Sequence, residues 1–153
     1  MSIKEKISSL GLSLPTAAAP VAAYVPALKS GNLVFTAGQL PVVDGKLVKE
    51  GKVGRDVSAE EAKELAQVCA LNALAAISLV ADLDQIERVI RVGGFVNCMP
   101  GFTAIPGVIN GASEFLIKVF GDFNGKHART AVGVVELPLN APVEVEVIVQ
   151  LKN

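Results

Sequence analysis

HARTAVGVVELPLNAPVEVEVIVQL, the stretch from His127 to Leu151, decides the fold. Its first part, Arg129 to Leu137, is rich in valine, which suits a strand. Its second part sets Val143, Val145, Val147, Val149 and Leu151 in alternation with Glu144, Glu146, Ile148 and Gln150. A period of two sends the valines to one face of a strand and the glutamates to the other. Pro138-Leu139-Asn140-Ala141-Pro142 is the joint, because proline withholds the amide that a ladder needs.

Working outward, more sheet is expected upstream. Ile86 to Asn97 reads as a strand, with Gly93-Gly94 marking a bulge or a close approach of another group to the backbone. Val21 to Leu28 and Leu33 to Gln39 flank Lys29-Ser30-Gly31-Asn32, a hairpin signal. A second turn at Val43-Asp44-Gly45-Lys46 leads a short strand, Leu47 to Lys49. Two long helices interrupt the strands. Ser58-Ala59-Glu60-Glu61 is a capping box, and from it Ala62, Leu65, Ala66, Cys69, Ala73, Ala76, Ile77 and Val80 form an apolar stripe that ends near Asp82. After Pro106, the residues Val108, Ala112, Phe115, Leu116 and Val119 share a face, and Gly121 marks the stop. A short leading helix over residues 2–10, with Ile3, Ile7 and Leu10 at helical spacing, ends at Gly11; Pro15 to Pro20 is an extended connector. Strands broken by two helices on one face give a two-layer α+β sandwich built on a mixed β-sheet.

A chain of 153 residues fits one domain, 1–153, with its core over 21–151. Fourteen Lys and Arg against fifteen Asp and Glu leave no basic field for nucleic acid. The N-terminus lacks the apolar core of a signal peptide, and the longest apolar run, Val68 to Ala81, is interrupted and too short to span a bilayer, so cytoplasm is the expected compartment and no membrane is implied. Cys69, on the apolar stripe, and Cys98, in a Pro/Gly loop, show no metal spacing and read as free thiols.

Five features stand out along the chain: Tyr24 before the hairpin, Thr36-Ala37-Gly38-Gln39-Leu40-Pro41 after it, Arg129-Thr130 opening the valine strand, Leu137-Pro138 closing it, and Glu144 in the last strand. In these strings the chain resembles the Rid/YjgF family of imine deaminases, also called the endoribonuclease L-PSP family. The resemblance covers Val21 to Leu151. It implies a homotrimer of chorismate-mutase-like fold, with a pocket between subunits and no metal or organic cofactor. By the same resemblance Arg129 anchors a substrate carboxylate and Glu144 positions water and relays a proton. Tyr24 closes over the substrate, and Gly38 and the backbone beside Ala131 complete the pocket. The chemistry suits the residues: a planar guanidinium grips a carboxylate bidentately, and a carboxyl group can serve as acid and base. The implied reaction is hydrolysis of 2-aminoacrylate-type enamines and imines to 2-oxo acids and ammonia.

The chain departs from the family pattern in three places. Ala131 stands where the family has Cys, a leading helix is present, and Gly93 to Gly107 is longer and richer in Gly and Pro. A non-catalytic sensor of carboxylate metabolites in the same cleft is therefore the alternative, and a ribonuclease finds no basic stripe, stacking platform or histidine pair. Taken residue by residue, Arg129 is a ligand anchor or the partner of an interface carboxylate, and Glu144 and Glu146 alone read as a solvated strand face. Tyr24 alone reads as a partly buried phenol with a satisfied hydroxyl. His127, the single histidine, reads as an exposed loop residue or as a charge tuner near neutral pH. Two helices cover only one sheet face, which hints that the other needs a partner.

Overall fold

The computed structural model describes residues 1–17 and 23–153. Its elements are α1 (Ile3–Ser9), β1 (Ala27–Ser30), β2 (Leu33–Thr36), β3 (Val42–Val43), β4 (Lys46–Leu47), α2 (Ala59–Ile77), β5 (Ile86–Asn97), α3 (Ile105–Gly125), β6 (Ala128–Val134) and β7 (Val143–Leu151). Five strands form one sheet in the order β1-β2-β7-β5-β6. Its pairings are antiparallel except β5 with β6, which run parallel because α3 makes the crossover between them. The sheet is mixed, and the architecture is the expected α+β one.

Alternation in β7 decides which side is core. Val143, Val145, Val147 and Val149 are fully buried, and so are their partners on β5, Val89, Val92 and Val96. The helices α2 and α3 lie on this face, and α2 contributes six buried alanines between Ala62 and Ala76. Small residues let the layers approach closely. At Gly111 of α3 an added Cβ would run into the carbonyl oxygen of Lys63 on α2. At Gly94 of β5 it would lie 2.5 Å from Ile109 Cγ1. Both glycines mark places where backbone meets a neighbouring layer.

Local signals act as read where they are chemically specific. Ser58 Oγ accepts from the Glu61 amide (3.1 Å) while Glu61 accepts from the Ser58 amide (2.8 Å), which starts α2. The Lys49 ammonium, 2.7 Å away, is the main reason Glu61 is held down at about 2, with the Ser58 amide next. Residue Cys69 lies in the core, where burial pushes its thiol well above the ordinary value.

Boundaries differ in several places. The strand expected from Val21 starts at Ala27; Val21 and Ala22 lie outside the described residues, as do Ala18 to Pro20 of the expected connector. The hairpin turn is only Gly31-Asn32, with Ser30 paired to Leu33 and Gly31 at φ 60°. Beyond Thr36, Gln39 rejoins the sheet by a single bridge to Val145. Asp44-Gly45 is itself the tip of a β3–β4 hairpin, both residues having positive φ. α2 stops at Ile77 rather than near Asp82. Gly121, at φ 85° and ψ 166°, kinks α3, and one more turn follows. Leu10 is at the cap of α1 and largely exposed, whereas Ile3 and Ile7 are buried. Strand β6 ends at Val134, before the expected Leu137.

The bulge expected at Gly93-Gly94 is absent. Register shifts fall earlier, between Ile86 and Arg88 and between Val89 and Arg91, and the two glycines pair regularly. Their smallness serves close approach on both sides: Ile109 over Gly94, and the Glu146 carboxylate, 2.7 Å from where a Cβ of residue 93 would stand. No helix among the described residues is long and apolar enough to cross a membrane.

Candidate functional site

Strand register sorts the expected site residues into two groups. Arg129 pairs with Val92, and Ala131 with Gly94, whose β7 partners Val147 and Val145 face the helices. Arg129 and Ala131 therefore lie on the helix side of β6. Glu144 pairs with Phe95, and Phe95 with Val132, on the opposite, open face. Strand β5 and the thickness of the sheet separate Glu144 from Arg129 within one chain.

The Glu144 group sits at the Gln39–Val145 bridge. Gly38 lies directly against the Glu144 carboxylate, so a Cβ there would overlap Oε1. Glu144 is half-buried, and burial, followed by the nearby Glu146 charge, raises its pKa above the ordinary glutamate value. This corrects the reading of a plainly solvated residue. A carboxyl group poised toward neutrality suits proton transfer. Tyr24 precedes β1 and is 51% exposed, so it is not the partly buried phenol expected from its residue type.

Around Arg129 is a polar cluster supplied by α3. Its Nη1 donates to Asn110 Oδ1 (2.8 Å) and Ser113 Oγ (3.2 Å), and its Nη2 to the Pro106 carbonyl (3.3 Å). No carboxylate among the described residues pairs with it. Three of the five guanidinium N–H donors are engaged, which leaves Nε–H and one Nη2–H. A guanidinium with Nε–H and an Nη2–H available can donate both to one carboxylate.

His127 joins this cluster, against the expectation of an exposed loop residue. It is half-buried, with Nδ1 2.6 Å from the Gly125 carbonyl and Nε2 2.9 Å from Ser113 Oγ. A shallow cavity of about 340 Å³ opens here, lined by Asn110, Ser113, Ile117, Lys126, His127 and Arg129. Asn110 and Ser113 were missed in the sequence. Their signal is a polar pair three residues apart beside the apolar stripe of α3, which resembles any solvated helix edge.

A second polar knot fixes the strand ends. Buried Asn97 donates from Nδ2 to Asn140 Oδ1 and to the Ala141 carbonyl, both at 3.2 Å. Its Oδ1 accepts from Lys52 Nζ at 2.6 Å, and Lys52 also donates to the Val135 carbonyl. This holds the turn in which Leu139 and Asn140 have positive φ, and so sets where β7 and Glu144 begin. Cys98 is partly buried beneath Gly133, where an added Cβ would lie 2.9 Å from its sulfur.

Fold and site together describe a two-layer α+β subunit with an arginine on one edge of its sheet and a carboxylate on the open face. The chain belongs to the family described as "YjgF/chorismate mutase-like, putative endoribonuclease", whose model matches residues 4–151. It is 40% identical to protein TCP17 of Trypanosoma cruzi, over 99% of this chain and 95% of that one. A Dermatophagoides farinae protein named 2-iminobutanoate/2-iminopropanoate deaminase is 30% identical, over 92% and 95% of the two chains. The solved structure of Atu1372, a protein of unknown function from Agrobacterium tumefaciens, superimposes with a TM-score of 0.88 at 44% identity, over 98% of this chain and 92% of that one.

Proposed function

We propose that the protein is a hydrolytic deaminase of reactive enamines and imines of the 2-aminoacrylate type, working as a homotrimer. The observation that carries this reading is the pair of free donors on Arg129, held in place by Asn110 and Ser113 with no competing carboxylate. Relatives named imine deaminases, at 30% and 28% identity, support it. In each cleft one copy contributes Arg129 and the backbone beside Ala131, and the next contributes Gly38, Glu144 and Tyr24.

In this scheme an enamine first shifts a proton from nitrogen to its β-carbon to become the imine, and Arg129 binds the substrate carboxylate and so orients the adjacent C=N carbon. Glu144, as carboxylate, takes a proton from water as the oxygen attacks that carbon. As carboxylic acid it returns that proton to nitrogen; the hydroxyl of the tetrahedral adduct then gives its own proton to Glu144, which passes it to the amine as the C–N bond breaks, leaving the 2-oxo acid and ammonia. Its raised pKa fits both duties. Gly38 matters because a side chain there would push Glu144 aside. An exposed Tyr24 is free to close over a substrate held by a neighbour.

The test is to generate 2-aminoacrylate with a dehydratase and follow its loss. Wild type should accelerate it, and Arg129→Ala should lower kcat/KM on the order of 100-fold with little change in Tm. No acceleration by wild type, or an Arg129→Ala variant as fast, would contradict the reading. Binding of 2-oxobutanoate without turnover would instead support a carboxylate sensor.

A further inference from the structure

Hydrogen-bond roles around His127 can be assigned. A carbonyl only accepts, so Nδ1 carries a proton toward Gly125, and in the neutral ring Nε2 is left to accept. Ser113 Oγ–H therefore points at Nε2, while the same oxygen accepts from Arg129 Nη1. The result is one chain: Arg129 to Ser113 to His127 to Gly125. Its one movable proton is that of the Ser113 hydroxyl.

Protonation of His127 reverses one link. Nε2–H must now donate to Ser113 Oγ, whose two lone pairs serve His127 and Arg129. The hydroxyl hydrogen is then released from Nε2, and where it turns into the cavity it adds a third donor to the free Nε–H and Nη2–H of Arg129. A carboxylate there gains a hydrogen bond and a nearby cation.

We propose that Ser113 and His127 are positioning residues for Arg129, and that they couple carboxylate binding in this cavity to uptake of one proton by His127. The proposal rests on Arg129 being a carboxylate anchor, as above. It makes affinity rise as pH falls through the His127 titration, and by reciprocity it makes the bound anion raise the His127 pKa.

The surroundings leave His127 free to respond. Burial is the main cause that lowers its pKa below the ordinary histidine value; the Gly125 carbonyl acts in the opposite sense, and Arg129 adds to the lowering. Of the other charged groups, Lys126 is paired with Asp122 at the end of α3, and Glu114 of α3 with Lys63 of α2. Arg91 of β5 is bonded to Thr130, on the open face of the sheet. Among the described residues no carboxylate bonds to the imidazole, so an arriving anion supplies the first negative charge bonded to the described members of this cluster.

His127 is the only histidine, so its Cε1–H resonance in the full-length protein is unambiguous. It is titrated from acid to alkaline pH with and without saturating 2-oxobutanoate. The midpoint should rise by about one pH unit, which corresponds to about tenfold tighter binding below the titration than above it. His127→Gln keeps an acceptor for Ser113 but takes no proton; its affinity should be the same at acid and alkaline pH, without the acid enhancement. Ser113→Ala should bind with a smaller midpoint rise. If 2-oxobutanoate binds, is lost in Arg129→Ala and leaves the His127 midpoint unmoved, the coupling is overturned while the anchor stands. If wild type shows no binding, or binding survives Arg129→Ala, the anchor fails and takes the coupling with it.

Discussion

The two faces of the sheet follow the same alternating strands and end in opposite states. On the helix side, Val147 and Val92 lead to Arg129, and Val145 and Gly94 to Ala131, with the β7 and β5 members buried. Across the open side runs the row Leu28–Phe35–Ile148–Arg91, beside the rows Glu146–Gly93–Thr130 and Glu144–Phe95–Val132. Leu28, Phe35 and Val132 are exposed there. One chain completes the first face by itself. The second carries apolar side chains that no helix among the described residues covers, and a half-buried Glu144 beside them, which is what an interface between copies would use. Because the arginine and the glutamate belong to different faces, a cleft that needs both has to be assembled from more than one copy.

The largest way to break this contrast is on the covered face. Gly111→Ala puts a methyl group into the Lys63 carbonyl and should cost about 3 kcal/mol or prevent folding, read as a fall in Tm. On the open face, Gly38→Ala brings a methyl group nearest to Oε1, Cδ and Cγ of the flexible Glu144 side chain and not to backbone. It should leave Tm within a few degrees while kcat falls on the order of 10-fold or more, since a displaced acid/base loses alignment. A large loss of stability there would contradict the contrast.

The smallest effect is electrostatic. Glu144 has a raised pKa in the folded chain, so the folded state holds that proton more tightly than the unfolded state. Its contribution to stability is fully present below the unfolded glutamate value and is lost as pH rises through the folded one. Glu144→Gln should therefore flatten the fall in stability over that interval, by less than about 1 kcal/mol because the group is half exposed. Urea unfolding at acid and neutral pH reads the difference. In the wild type, the acid limb of the kcat/KM profile should have its midpoint above the ordinary glutamate value.

Much of the fold was legible because its signals are periodic. The valine alternation of β7, the Ser58 capping box and the limits of β5 needed only local chemistry. β1 was misplaced because Val21 to Leu28 has strand-forming residues throughout, while pairing to β2 begins only at Ala27. Gly93-Gly94 was half legible: close approach was right, but which side chains approach depends on layers far away in sequence. The site was legible as residue types and not as a geometry. Arg129 and Glu144 are fifteen positions apart, and their placement on opposite faces follows from register between three strands. His127, Ser113 and Asn110 meet only because α3 folds back over β6.

Subunit complementation tests the divided site most directly. Arg129→Ala and Glu144→Gln proteins, each expected under the proposed function to have greatly reduced activity on 2-aminoacrylate, are unfolded, mixed in equal amounts and refolded together. If each cleft takes Arg129 from one copy and Glu144 from the next, random trimers should recover about a quarter of wild-type activity. A mixture that assembles but stays at the level of its two components would contradict the account.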